Sequence, residues 1–296
     1  MSISPDIEIS ARSNLIGAIW MVVAMAGFAV EDAFLKAASI NLPVAQVLMM
    51  FGAGGVVIFA LWAKVLGQRM MPPEVLSKPM RIRAFFEVIG RLFFVLALAL
   101  TPLSSTTAIL QATPIVVVLG AAVVFGEKVG WRRWSAIFVG LVGVLIILKP
   151  TGDSFSPLSI LAVLGMLGFA GRDLASRAAP KSLSVQVLGI WGFAAIIFAG
   201  ALYMGWEQKM LVMPALRELS FLVLACGVGA GAYVALMRAM RTGAVASVTP
   251  FRYSRLLFGL GLGVFVFGED MDQSMLLGSA IVVLSGLFIL WRGNRA

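Results

Sequence analysis

Histidine is absent, and cysteine occurs once, at Cys226. Without an imidazole, a proton relay has to run through carboxylates or water, and the commonest metal ligand is missing. A single thiol excludes an internal disulfide and a cysteine-based metal site. Charge is scarce as well, since only 12% of the residues are Asp, Glu, Lys or Arg. There is no Gly-x-x-x-x-Gly-Lys-Ser/Thr loop to cradle a nucleotide phosphate, so the chain itself is not expected to be driven by ATP. Ten-residue segments of alternating polarity, the mark of an outer-membrane barrel, are missing. Met1–Ser13 has no basic stretch leading to a small-residue cleavage site, so the first apolar segment is expected to be a retained helix. No catalytic residues, metal or cofactor are expected. An integral-membrane enzyme acting on lipids is the weaker alternative, because neither an Asp-rich diphosphate motif nor a nucleophile pattern is present.

What the chain has in abundance is apolar side chains, 60% of 296 residues, with a mean hydropathy of +1.00. A soluble domain has too little polar surface to cover that composition. Apolar stretches of 16 to 23 residues recur to the end of the chain, each long enough to cross a hydrocarbon core of about 30 Å. The expected fold class is all-α integral membrane, with ten transmembrane helices at about 14–37, 44–65, 83–100, 104–125, 133–149, 157–176, 184–204, 218–240, 246–267 and 274–291. The longest connection, Lys64 to Arg83, reads as an exposed loop with an interfacial turn.

The net charge is +9. In this setting it reads as the positive-inside bias rather than as affinity for nucleic acid. With a cytoplasmic N-terminus, the inside segments hold 14 basic residues: Arg12, Lys64, Arg69, Lys78, Arg81, Arg83, Lys128, Arg132, Arg133, Arg177, Lys181, Arg241, Arg292 and Arg295. The outside segments hold 3, namely Lys149, Lys209 and Arg217. Both termini are therefore expected in the cytoplasm.

Gly27-Phe28-Ala29-Val30-Glu31-Asp32-Ala33-Phe34-Leu35-Lys36-Ala37 recurs 141 residues later as Gly168-Phe169-Ala170-Gly171-Arg172-Asp173-Leu174-Ala175-Ser176-Arg177-Ala178, with five identities in register and the charge kept at Lys36/Arg177. Phe125-Gly126-Glu127 returns as Phe267-Gly268-Glu269 at an offset of 142. Two copies mean two halves, 14–149 and 157–291, of five helices each. Five is odd, so the second half enters from the opposite face. An inverted repeat around a central cavity follows, with the substrate near the bilayer midplane.

Ionisable residues at membrane depth are costly and point to function. Glu31 and Asp32 lie toward the outside of the first helix, and Arg172 and Asp173 toward the inside of the sixth. Glu87 and Arg91, spaced i,i+4, share a face of the third helix, and Arg252 and Arg255 share one on the ninth. Asp173 and Glu87 are expected to pair with two or more of Arg91, Arg172, Arg252 and Arg255 in a cytoplasmic-side network. Together these eight are the candidate gating residues. The bland reading is that Lys36 pairs with Asp32 near a helix end and that the other charges are structural glue. Pro114 removes the bond to the Leu110 carbonyl, which then needs a neighbour or water. Gln111, Pro114 and Tyr253, with Phe28 and Phe169, are the candidate substrate-binding residues. Against each stands ordinary packing.

These residues carry a resemblance. A charged first helix, Gly-Glu closing the fourth and ninth helices, Pro114 in the fourth, and Pro250 with Tyr253 in the ninth are similar to the EamA-type drug/metabolite transporter family over essentially the whole chain. Among its branches the chain looks most like the YddG-type amino-acid exporters. The resemblance implies a basket-like bundle with a cavity lined by helices 1, 3, 4, 6, 8 and 9. It also implies a multi-pass protein of the bacterial inner membrane that exports small metabolites by alternating access. Aromatic and other apolar amino acids are the favoured substrates, and another metabolite or drug is the alternative. The lipid bilayer and a small-molecule substrate are the expected partners, nucleic acid is not, and the chain is consistent with a monomer.

Overall fold

The computed structural model describes residues 11–125, 130–148, 157–177, 180, 182–242 and 249–293. Among them every regular element is helical. The α-helices are α1 (Ala11–Ser39), α2 (Val44–Val65), α3 (Lys78–Leu100), α4 (Leu103–Leu110), α5 (Thr113–Phe125), α6 (Trp131–Leu148), α7 (Ser159–Arg177), α8 (Val185–Glu207), α9 (Leu216–Thr242), α10 (Ser254–Phe267) and α11 (Gln273–Gly293). Short 3-10 turns span Pro73–Leu76 and Thr249–Tyr253. Among the described residues, six stretches, rather than the ten expected, are long and apolar enough to cross a membrane: Ser13–Ser39, Val44–Val65, Leu103–Val124, Ser159–Ser176, Val185–Glu207 and Leu216–Ala239. Two shorter apolar helices, Trp134–Ile147 and Gln273–Ser285, accompany them.

Prolines set several boundaries. Pro43 precedes α2, Pro102 precedes α4, and α3 has proline in its first turn. At those positions the missing amide costs nothing, because the first amides of a helix have no intrahelical acceptor. Pro114 stands where the amide would have bonded to Leu110, so the fourth span is two helices, α4 and α5, rather than the continuous 104–125 helix the sequence suggested. The break is short. Gln111 N bonds to Ala108 O and Ala112 N to Ile109 O, a tightened last turn.

The helices pack in long pairs. α1 lies along α9, α3 along α7, α2 along α8 and α6 along α11. Crossing contacts join α1 to α10, α5 to α7, α4 to α10, α3 to α8 and α2 to α9. The α3–α7 pair depends on glycine. A Cβ on Gly168 would meet the Gly90 backbone at 2.4 Å, so the two helices approach backbone to backbone. Phe51, Phe59 and Phe193 interlock α2 with α8 at ring separations of 5.2 and 5.7 Å. The Lys64–Arg83 connection is more ordered than an exposed loop, because Val75 of its 3-10 turn is buried with Met80, Leu183 and Val187. Trp131 and Trp206 are exposed at helix ends, where indole rings suit an interface.

Candidate functional site

The bundle has a near side, on which α1 begins, and a far side, on which it ends. Glu31 and Asp32 sit in the last third of α1 and are 1% and 0% exposed. Neighbouring helical residues point about 100° apart, so the two carboxylates address different helices. Glu31 Oε1 accepts from Arg91 Nη1 of α3 at 2.8 Å, and Asp32 Oδ2 accepts from Arg255 Nη2 of α10 at 2.5 Å. Room for Glu31 comes from α9, where a Cβ on Gly229 would stand 2.6 Å from its carboxylate. Phenylalanine rings flank both guanidinium groups: Phe51 and Phe169 at 5.4 and 5.8 Å from Arg91, and Phe28 and Phe94 at 5.4 and 5.6 Å from Arg255. Phe94 and Phe169 meet edge to face at 5.5 Å, which joins the two pairs into one cluster. Such contacts let a desolvated cation keep favourable electrostatic neighbours.

A second cluster lies toward the near side. Arg172 of α7 bonds to Asp173 at 2.9 Å and approaches Glu87 of α3 at 3.4 Å. Arg252 reaches Asp173 at 3.6 Å, and Arg83 reaches Glu87 at 3.7 Å and donates to Ser176 at 3.1 Å. Asp173 and Glu87 thus do contact Arg172 and Arg252. Arg91 and Arg255 do not belong to this network, contrary to expectation. Both lie near the middle of their spans, and a long side chain there reaches either way. The Glu31–Asp32 pair captures them. The i,i+4 partnership of Glu87 with Arg91 is likewise replaced by Arg83 at i−4 and by Arg172 across the interface. Arg252 and Arg255, expected on one face, diverge to different clusters, because the 3-10 turn ends at Tyr253 and α10 begins after it.

Lys36 does not pair with Asp32. Its Nζ donates to the carbonyls of Leu98 and Thr101 at 3.0 and 2.6 Å, at the end of α3, and lies 3.9 Å from Glu269. Glu269 in turn accepts from Leu103 N at 2.6 Å, from Ser104 N at 2.9 Å and from Ser104 Oγ at 2.6 Å. α4 has no side-chain cap of its own, so a carboxylate from beyond α10 serves as one. Gly268, with φ +64°, makes the turn that brings it there. The matching Gly126-Glu127 lies outside the described residues.

Gln111 and Tyr253 meet, with Gln111 Nε2 donating to Tyr253 O at 3.4 Å. The Leu110 carbonyl released by Pro114 accepts from Thr113 Oγ1 at 2.6 Å, which satisfies it within the chain. The side chain of Pro250 is outside the described residues. At the level of the two clusters the ion pairs and rings are largely buried. A cavity of about 500 Å³ lies elsewhere, between α2, Ile197 of α8 and Leu211–Pro214. Residue-type reasoning missed Arg83, Lys36, Glu269, Phe51 and Phe94 as parts of the site. For Glu269 a signal existed: a helix starting after Pro102 without Ser, Thr, Asp or Asn at its cap needs an outside acceptor.

Apolar helices of spanning length, wrapped around buried ion pairs, define a multi-pass membrane protein. The chain belongs to the EamA-like transporter family, whose model matches residues 15–149. It is 30% identical to a riboflavin transporter of Vibrio cholerae over 95% of both chains. It is 27% identical to a pseudopaline exporter of Pseudomonas aeruginosa, over 91% of this chain and 94% of that one. It is also 26% identical to an S-adenosylmethionine uptake transporter of Rickettsia bellii, over 73% of each. A known crystal structure superposes with a TM-score of 0.62 at 17% identity, covering 95% of this chain and 98% of the other. That likeness concerns the fold.

Proposed function

We propose that this family member is a secondary transporter of the bacterial inner membrane that exports amino acids, aromatic and other apolar ones first, by alternating access. The observation that carries this reading is the pair of ionic clusters at different depths of the bundle, with α3 contributing to both. The far cluster holds Glu31, Asp32, Arg91 and Arg255, and the near cluster holds Glu87, Arg172, Asp173 and Arg252. Each closes the interior on its own side, and opening one at a time exposes a midplane site to one face of the membrane. Phe28, Phe169, Gln111, Pro114 and Tyr253 lie among these elements and are proposed to contact the substrate. Both termini are cytoplasmic in this reading, from the distribution of Lys and Arg, and the reading is consistent with a monomer without requiring one.

The halves 14–149 and 157–291 are proposed to be inverted repeats. Exchanging them maps the α1–α9 pair onto α7–α3 and the α1–α10 contact onto α7–α5. It also maps the tight point at Gly27 and Ala232, where a Cβ would come within 2.8 Å, onto Gly168 and Gly90.

A second reading, carriage of a neutral ring compound such as riboflavin, is favoured by the similarity to the Vibrio cholerae protein and by the four phenylalanines. Purified protein in liposomes, presented with labelled amino acids, riboflavin and S-adenosylmethionine, tests both. Accumulation of an amino acid supports the first, and accumulation of riboflavin alone replaces it with the second. If no compound moves, secondary transport of these metabolites is wrong.

A further inference from the structure

The far cluster holds polar atoms that the protein leaves unused. Asp32 Oδ1, Arg91 Nε and Arg255 Nε are buried without a hydrogen-bond partner. Buried polar groups are ordinarily paired, so three orphans within one cluster of ion pairs are unusual. They are also of two kinds. An acceptor remains on the aspartate, and a donor remains on each arginine. The cluster is balanced in charge, two carboxylates against two guanidinium groups. A ligand with net charge would leave an uncompensated charge in a dry interior, whereas a ligand with one charge of each sign preserves the balance.

We infer that this cluster is the polar subsite of the substrate and that it selects zwitterions. The ligand's carboxylate accepts from Arg91 Nε or Arg255 Nε, and its ammonium donates to Asp32 Oδ1. Phe28, Phe94 and Phe169 then receive the apolar remainder, so the side chain is read by shape and the head group by charge. The inference rests on the reading of the chain as an amino-acid transporter. It adds that both charged groups are required and that Asp32, Arg91 and Arg255 are the residues that require them.

The test uses the full chain in liposomes. For each amino acid that is carried, its carboxamide, which lacks the anionic group, and its N-acetyl form, which lacks the cationic one, are offered as labelled substrates and as competitors. Both should be weaker by about tenfold or more, because a site built to pair a group rejects the analogue lacking it. Asp32→Asn leaves the site with an excess positive charge and should shift preference toward the N-acetyl form. Arg255→Gln leaves an excess negative charge and should shift it toward the carboxamide. A merely structural role for these residues lowers all three substrates together, and that result overturns the inference. Equal transport of either blocked form by the unaltered protein, or transport of riboflavin alone, also overturns it while leaving secondary transport intact. If nothing is carried at all, the transport reading fails first and takes the inference with it.

Discussion

Glu269→Gln is the most informative single change. The native carboxylate takes two amides and one hydroxyl of the first turn of α4 and faces Lys36. A glutamine keeps one oxygen, enough for Ser104, but turns an NH2 toward Leu103 N, donor against donor. One charge-assisted bond is lost, worth about 1.5–3 kcal/mol. The attraction between a full negative charge and the helix N-terminus goes too, about 0.3–1 kcal/mol. The loss is therefore about 2–4 kcal/mol, and at tenfold per 1.4 kcal/mol it shifts by roughly 30- to 700-fold any equilibrium with the junction intact on one side only. The junction ties α1, α3, α4 and the end of α10 on the far side, which in the proposed orientation is the periplasm. Thr107, one turn into α4 and 1% exposed, reports on it. With Cys226→Ala as background, Thr107→Cys should react slowly with an impermeant maleimide added outside. Glu269→Gln should accelerate that reaction. If reactivity stays the same while the unfolding temperature drops, the carboxylate only caps a helix. If neither changes, the energy assigned to the junction is wrong.

Asp173→Asn deprives Arg252 of its acid partner and weakens its contact with Arg172; cysteine labelling from the cytoplasmic side should rise, and loss of fold without that rise would make the near cluster structural. Glu31→Gln should lower thermal stability by about 3–5 kcal/mol, because Arg91 is left buried and unpaired; adding Arg91→Gln should recover part of the loss, and strictly additive losses would argue against their coupling. Gly168→Val sets a branched side chain where even a Cβ meets Gly90 at 2.4 Å; the variant should fold poorly or melt several degrees lower, and native-like melting would mean that α3 and α7 can separate freely. Cysteines at Ser77 and Gln208 should label only from the cytoplasm and only from the periplasm, respectively; labelling of Ser77 from outside in intact cells reverses the proposed orientation.

Helix placement was legible in the sequence because bilayer thickness imposes a length and prolines mark where helices start, although six of the ten expected spans reach spanning length and hydropathy among the described residues. The break at Pro114 was half legible. Loss of the bond to Leu110 followed from proline's chemistry, but Thr113 as the replacement donor depends on a rotamer that spacing does not specify. Partner choice among charges was the least legible feature. Glu87 and Arg91 satisfy the i,i+4 rule, yet an isolated helix pair of that kind is worth only about 0.2–0.5 kcal/mol. A buried contact from another helix outweighs it easily, so Arg91 goes to Glu31. The same holds for Lys36, whose carbonyl partners are 62 and 65 residues away, and for Glu269, whose partners are 166 and 165 residues away.

The two clusters differ in a way that follows from desolvation. The carboxylates of the far cluster are nearly sealed, with side chains 2% and 0% exposed, and the cluster holds equal numbers of acids and bases. The near cluster is wetter around Asp173, though not at Glu87 and Arg83, whose side chains are 5% and 8% exposed. Arg172, Asp173 and Arg252 are 23%, 23% and 29% exposed, and among its described pairs three arginines, Arg83 included, face two carboxylates. An excess cation is tolerable where water reaches it and costly where it does not. If the far cluster is the proposed zwitterion subsite, its balance suits a ligand with one charge of each sign, while the near cluster, where three arginines face two carboxylates among the described pairs, would favour the carboxylate end of such a ligand. On that proposal, a zwitterion approaching carboxylate first would meet attraction at the wetter layer and balance at the drier one, which would order the two contacts along a single path.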